Sequence, residues 1–139
     1  MLKTKELIKA IGVGVAIGIA FACAQVDTAI KSIHFDLRKI GDSVYQAHAR
    51  TGRWPEGISD LEGTAYLSMP YRKGFLENGH FVIIWHQDLD PNPAANRDRI
   101  LAYDNGSLFS KLGWISVCRG DLTIQRMSFN EILAQKGSQ

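Results

Sequence analysis

The residues best suited to chemistry form a polar segment in the middle of the chain, Asp88–Asp98, with the sequence DLDPNPAANRD. Oxygen-bearing side chains recur there at alternate positions, Asp88, Asp90 and Asn92, a spacing typical of calcium loops. A proline replaces the glycine at position six of an EF-hand loop, and an arginine replaces the glutamate at position twelve. We therefore hypothesise calcium bound by these three residues in a loop that is not an EF-hand. The alternative is a solvated loop rich in turn formers.

The four histidines do not converge on one site. His34 and His48 lie on a predicted helix, too far apart to share a metal, and we expect both on a solvated face. His80 and His86 flank the strongest predicted strand and stand about 20 Å apart, at 3.3 Å per residue. Zinc held by His86 and the aspartates that follow it is the other metal alternative.

The two cysteines lie in unlike settings. Cys23 belongs to an apolar N-terminal stretch and Cys118 to a predicted strand near the C-terminus, so we expect no disulfide between them. Cys118 has no histidine or lysine beside it, which favours a buried thiol over a nucleophile. The serines occur in no Gly-x-Ser-x-Gly context. The sequence therefore predicts a protein that is not an enzyme and has no resident cofactor unless the loop binds calcium.

Length and charge indicate one domain behind an N-terminal segment. The 139 residues carry a formal net charge of +2, and this excess comes from the first 24 residues, which hold three lysines and one glutamate. The rest of the chain is neutral, with both signs interspersed. This balance argues against a nucleic-acid partner.

The N-terminal stretch Ala10–Ala24, AIGVGVAIGIAFACA, contains no charged residue and follows Lys3, Lys5 and Lys9. A secretory signal peptide shows the same outline, with cleavage at the small residues that end the stretch. A lipoprotein signal would instead leave Cys23 as the first residue. The third interpretation is an uncleaved anchor, lengthened by the flanking apolar residues toward the 20 that a spanning helix needs.

Two patterns favour the anchor. Small residues recur every four positions, which predicts a packing face for other membrane helices or pilin-like subunits: Ala10, Gly14, Gly18 and Ala22. Apolar residues then continue at spacings of three and four, as on one face of a helix that packs on a sheet: Ile30, Ile33, Leu37, Ile40 and Val44. We predict one helix from about Leu7 to about Arg50, with residues 1–25 as membrane anchor and 26–139 as the domain. The lysines place the N-terminus in the cytoplasm.

The remaining chain reads as an antiparallel meander with a short final helix. We predict an edge strand over 64–72 and strands over His80–Trp85, Ile100–Tyr103, Trp114–Cys118 and Leu122–Arg126. Ser128 and Glu131 form a capping box that starts the last helix. The tryptophans are expected in the core or in the helix–sheet seam. The simplest packing lays the long helix on one face of about four strands, a two-layer α+β fold.

This order of elements resembles the bacterial type II secretion pseudopilins and related prepilin-like membrane proteins. The likeness rests on Leu37–Tyr45 with Gly52-Arg53-Trp54-Pro55 and Leu61, on Ile100–Asp104, and on Trp114–Ser128 with Glu131. It implies a pilin-like domain on the periplasmic side of the bacterial inner membrane. It also implies a structural or assembly role in a secretion or pilus-like system. Major pseudopilins hold calcium in a loop between strands. The resemblance therefore implies that Asp88–Asp98 could hold calcium in the same way.

The sequence departs from that family at two places. The closing hairpin reads Arg119-Gly120-Asp121, where relatives often have Asp-Gly-His. The prepilin cleavage motif, of the type Gly-Phe-Thr-Leu-x-Glu, is absent, and Glu6–Ala10 stands in its place. We therefore expect a single-pass, pilin-like anchor and not a pilus subunit. The alternative is a secreted or lipid-anchored module that binds a small ligand or a partner.

Overall fold

The fold is α+β, as predicted. The computed structural model describes residues 4–136, apart from the side chains of Thr4 and Leu7. Lys3, which belongs to the predicted basic flank, lies outside the described residues, as do residues 137–139. The helices are α1 Thr4–Thr51, α2 Arg72–Glu77, α3 Leu108–Lys111 and α4 Phe129–Lys136; the strands are β1 Phe81–Ile83, β2 Ile100–Asp104, β3 Ile115–Arg119 and β4 Ile124–Met127. Single 3₁₀ turns occupy Ile58–Leu61 and Pro93–Asn96.

The chain divides into two compact units, Met1–Ser32 and Ile33–Gln139. In the first unit, the described residues are helical, and seven of their large apolar side chains are more than half exposed. These side chains belong to Ile8, Ile11, Val13, Val15, Ile17, Ile19 and Phe21. A helix that exposes apolar side chains all round lacks the polar face of a helix on a soluble protein.

The second unit is built on the remainder of α1, whose apolar stripe is buried. Ile33, Leu37, Ile40 and Val44 are each at most 9% exposed and belong to the main core. Ile30 is only half-buried and belongs to the first unit, so it is not part of this core. The helix ends where predicted, because Gly52 takes a φ of 74° and its backbone N–H donates to the His48 carbonyl at 2.8 Å.

The four strands form an antiparallel sheet in the order β1-β2-β3-β4. Both faces are apolar, because side chains alternate along β1 and β3 and a bulge between Ile100 and Ala102 shifts the register in β2. One face belongs to the core that contains α1. The other buries Ile132 of α4 against Val117 and Met127. The domain therefore has a third layer that the predicted two-layer packing lacked.

Two local predictions differ from the structure. Residues 64–72 form turns and the start of α2, because the Tyr66 backbone N–H donates to Ser43 Oγ on α1 instead of to a neighbouring strand. The strand predicted over His80–Trp85 is shorter, and His86 just beyond it takes a left-handed φ of 60°. The capping box was predicted correctly: the Ser128 backbone N–H donates to Glu131 Oε2 at 2.7 Å, and the Glu131 backbone N–H donates to Ser128 Oγ at 3.4 Å.

The seam between α1 and the sheet is closest at Gly41. A Cβ added there would lie 2.8 Å from Leu122 Cδ2 and 2.9 Å from Cys118 Sγ. Both distances are shorter than van der Waals contact, so the absence of a side chain sets how closely the helix approaches β3.

We predict that Gly41→Leu destabilises the second unit by about 2 kcal/mol, because the added atoms must push α1 away from the sheet. Denaturant unfolding of the detergent-solubilised chain, followed by tryptophan fluorescence, measures this. Ala49→Leu is the control, since Ala49 is exposed on the same helix. Equal stability of the two variants would contradict the close seam.

Candidate functional site

The polar loop between β1 and β2 is organised by one buried amide. Asn96 is 4% exposed, and its Oδ1 accepts the Asp90 backbone N–H at 2.9 Å. Its Nδ2 donates to the Asp90 carbonyl at 2.8 Å and to Tyr45 Oη at 2.7 Å. The loop is thus folded around its own side chain, which satisfies backbone groups that a buried turn would otherwise leave unpaired.

The same amide joins three elements. Tyr45, on α1, donates its hydroxyl proton to the Gly120 carbonyl at 2.6 Å while accepting from Asn96. Gly120 lies in the β3–β4 turn so close to Asn96 that a Cβ there would collide with its backbone and side chain. The Arg119-Gly120-Asp121 triplet is therefore a hairpin turn, as predicted, and its glycine allows the loop to approach.

The three residues predicted to bind calcium are all exposed, and two of them bond to the loop itself. Asp90 Oδ1 accepts the Asn92 backbone N–H at 2.7 Å, and Asn92 Oδ1 accepts the Ala94 N–H at 3.2 Å. Asp88 instead lines a neighbouring cleft. In the part of the chain that the structure describes, no group of three or more His, Cys, Asp or Glu side chains could hold a metal ion. Calcium at this loop stays a prediction.

That cleft, about 340 Å³ in volume, opens where β1 ends. Its charged lining brings His86 and Asp88 together with Arg99 and Lys136. Gln87 helps to shape it by donating to the carbonyls of Ile84 and Ile100, each at 2.8 Å. With two permanent cations and one carboxylate, the cleft is better suited to an anion than to calcium or zinc.

The other candidate groups serve packing. Cys118 is buried, which raises the pKa of its thiol to about 12 and keeps it protonated. His34 and His48 are half-buried and therefore less exposed than on a fully solvated face. The His48 ring stacks on Trp54 with ring centres 3.9 Å apart. Trp54 and Trp85 pack against the core as predicted, whereas Trp114 is 56% exposed.

An ion pair that the sequence did not indicate fixes α2 to α1. Asp36 is 4% exposed, and its Oδ2 accepts from Arg72 Nη1 at 2.8 Å. Burial raises the pKa of Asp36, and the Arg72 charge opposes that rise. Little in the sequence indicated this pair, because Asp36 and Arg72 are 36 positions apart. The sequence did contain one hint, an aspartate next to Leu37 of the apolar stripe.

The N-terminal part of α1 is the remaining candidate. An 18-residue window within Ile8–Thr51 reaches a mean hydropathy of 1.8, and none of it is buried. By length and composition this is one helix that could span a membrane. The predicted packing residues Ala10, Gly14, Gly18 and Ala22 all lie on it and are exposed. A Cβ added at Gly14 or Gly18 would meet no other atom within 4 Å.

Comparison with known proteins gives no family for this chain. No protein-family model matches it, and neither a curated protein nor a solved structure does so significantly.

We predict that Asn96→Ala destabilises the domain by about 2 kcal/mol, because the Asp90 backbone and Tyr45 lose their partner in a buried setting. Tyr45→Phe should cost about 1 kcal/mol, and the two changes together less than their sum. Thermal and denaturant unfolding provide the measurement, with the exposed Asn130→Ala as control. Strict additivity of the two changes would show that the amide and the hydroxyl do not act as one network.

Proposed function

We propose that the protein is a non-enzymatic, single-pass membrane protein that carries a pilin-like α+β domain on the outer face of a bacterial inner membrane. Its role is structural, as an assembly component of a secretion or pilus-like system. The observation that carries the proposal is the change of character along α1. The helix exposes apolar side chains all round before residue 26 and buries a single stripe after Ile33.

The exposed part of α1 supports the anchor on energetic grounds. Seven large apolar side chains, each more than half exposed, would be unfavourable in water at about 25 cal/mol per Å². A bilayer removes that cost and suits a helix, whose backbone hydrogen bonds are internal. Beyond the apolar stretch, Lys31 and Asp27 form an ion pair at 2.6 Å. Both side chains are exposed, which suits the aqueous side of the membrane.

The small-residue face gives the anchor a means of assembly. Gly14 and Gly18 leave room for a second helix to approach closely, as small residues spaced by four do in membrane helices. Other membrane or pilin-like subunits are the partners this proposal names. The resemblance to pseudopilins is the reason for proposing a secretion or pilus-like system. Because the prepilin cleavage motif is missing, we propose a subunit that stays in the membrane.

The cleft favours a second candidate function, a secreted or lipid-anchored binding module. Its lining by Arg99, Lys136 and His86 would suit a small anionic ligand. This function requires residues 1–24 to be removed or replaced by a lipid, so it makes the opposite prediction about the apolar stretch.

We predict that the double substitution Val15→Arg with Ile19→Arg releases the protein from membranes, because each arginine adds about 3 kcal/mol to insertion of the helix. The unmodified chain should stay in the membrane pellet after an alkaline carbonate wash. The control, Ala49→Arg with Ala134→Arg, adds the same charge at exposed positions of the second unit and should also stay. Release of the unmodified chain by carbonate would sink the proposal.

A further inference from the structure

The second unit gathers its exposed apolar side chains at one end. Between Ile33 and Lys136, seven large apolar residues are exposed. Six of them belong to segments that meet at a single end of the sheet. We call this set the rim: Phe35, Tyr71, Leu108, Leu112, Trp114 and Phe129. The seventh, Leu133, lies further along α4.

Strand pairing defines that end. Phe81, at the start of β1, pairs with Asp104 at the end of β2, and Ile115, at the start of β3, pairs with Met127 at the end of β4. The segments that follow or precede these residues carry the rim. Trp114 comes directly before β3, and Phe129 follows β4 by two residues.

The helix α1 enters the domain at the same end. Tyr45 Oη donates to the Gly120 carbonyl in the β3–β4 turn, at the opposite end of the sheet, so the earlier turns of α1 run back toward the end that carries Arg126. The Arg126 guanidinium in turn lies 4.7 Å from the centre of the Trp114 ring. On the other side, the Asp36–Arg72 ion pair brings α1 next to Tyr71. Phe35 therefore lies at the same end of the sheet as the other rim residues.

Cationic side chains lie near the rim, and the neighbouring carboxylates bond to groups of the domain itself. Lys111 and Arg126 are exposed, and Lys39 lies 5.8 Å from the Phe35 ring centre. The carboxylates bond within the domain: Asp36 with Arg72, Asp104 with the Gly106 and Ser107 backbone, Glu77 with Lys73, and Glu131 with Ser128. Lys39 also lies 3.9 Å from Asp42 Oδ2, whereas no ion pair is found for Lys111 or Arg126 among the described residues. Aromatic and leucine side chains interleaved with cations are typical of a membrane–water interface.

We propose that the rim rests in the interfacial region of the bilayer, with its apolar side chains among the headgroups and its cations on anionic lipid. The inference rests on the proposed anchor. The chain between the apolar stretch and the second unit is short enough to keep the rim close to the bilayer surface. Asp27 is the first acidic residue after the apolar stretch, and Ile33 follows it by six positions, at most about 20 Å of chain. The domain would then be held at the membrane by two contacts, the helix and the rim.

The test places a fluorophore on the rim of the full-length chain. Leu112→Cys is made in a Cys23→Ala background, where Cys118 is buried and does not compete for the label. Leu112 is 69% exposed, so the change leaves the core intact. The matched control, Ala94→Cys, is exposed in the loop at the opposite end of the sheet. Leu108→Cys is the second rim position. Each labelled protein is reconstituted in phosphatidylcholine–phosphatidylglycerol vesicles with brominated acyl chains.

We expect bromine to quench the two rim labels roughly twofold more than the label at Ala94, and the difference to shrink in vesicles without anionic lipid. Equal quenching at all three positions overturns the rim contact. So does energy transfer between rim labels on neighbouring copies without quenching, which assigns the surface to a second copy. Carbonate extraction of the same vesicles tests the anchor separately: retention with equal quenching refutes the rim alone, and release refutes both.

Discussion

Burial of one stripe of α1 against the sheet is the interaction on which the domain depends. Leu37 and Ile40 are completely buried, and the glycine between them and Val44 lets the helix approach β3 closely. Loss of this seam would expose much of the apolar face that the sheet turns toward α1. The helix that supplies the seam is the same helix whose first part exposes apolar side chains.

The proposed membrane segment and the core of the domain share one helix, α1. The side chains change from exposed and apolar to one-sided at about Ile33, without a proline or loop in between. A cut at residue 24 would leave the buried stripe intact, so the domain itself does not decide between an anchor and a signal peptide. The proposed rim contact accords with the anchor, since aromatic and basic side chains at the helix entry are suited to a nearby bilayer.

The two ends of the sheet differ in the way they are built. At the helix entry, apolar side chains are exposed and carboxylates are used internally. At the opposite end, Asn96 and Tyr45 bind the polar loop, the helix and the β3–β4 turn into one hydrogen-bonded network. The cleft with Arg99 and Lys136 opens at that second end, away from the rim. The proposed membrane contact and the proposed ligand contact therefore lie on separate surfaces.

Sequence patterns predicted those features that depend on neighbours along the chain. Periodicity located the stripe of α1, β-branched runs located β2 and β3, and Ser128 with Glu131 located the start of α4. Features that depend on distant partners were missed. The Tyr66 backbone bonds to Ser43, which removed a predicted strand, and Asp36 pairs with Arg72 across 36 residues. Trp114 was predicted in the core because it begins an apolar strand, and the sequence of that strand does not show which of its large side chains are exposed.

The intact mass of the natively expressed protein, extracted from membranes, tests the central claim most directly. An anchor retains residues 1–24, so the mass should be that of the whole chain, 15.4 kDa. A shorter protein that begins at Cys23 or Gln25 would contradict the anchor and favour the lipid-linked or secreted module.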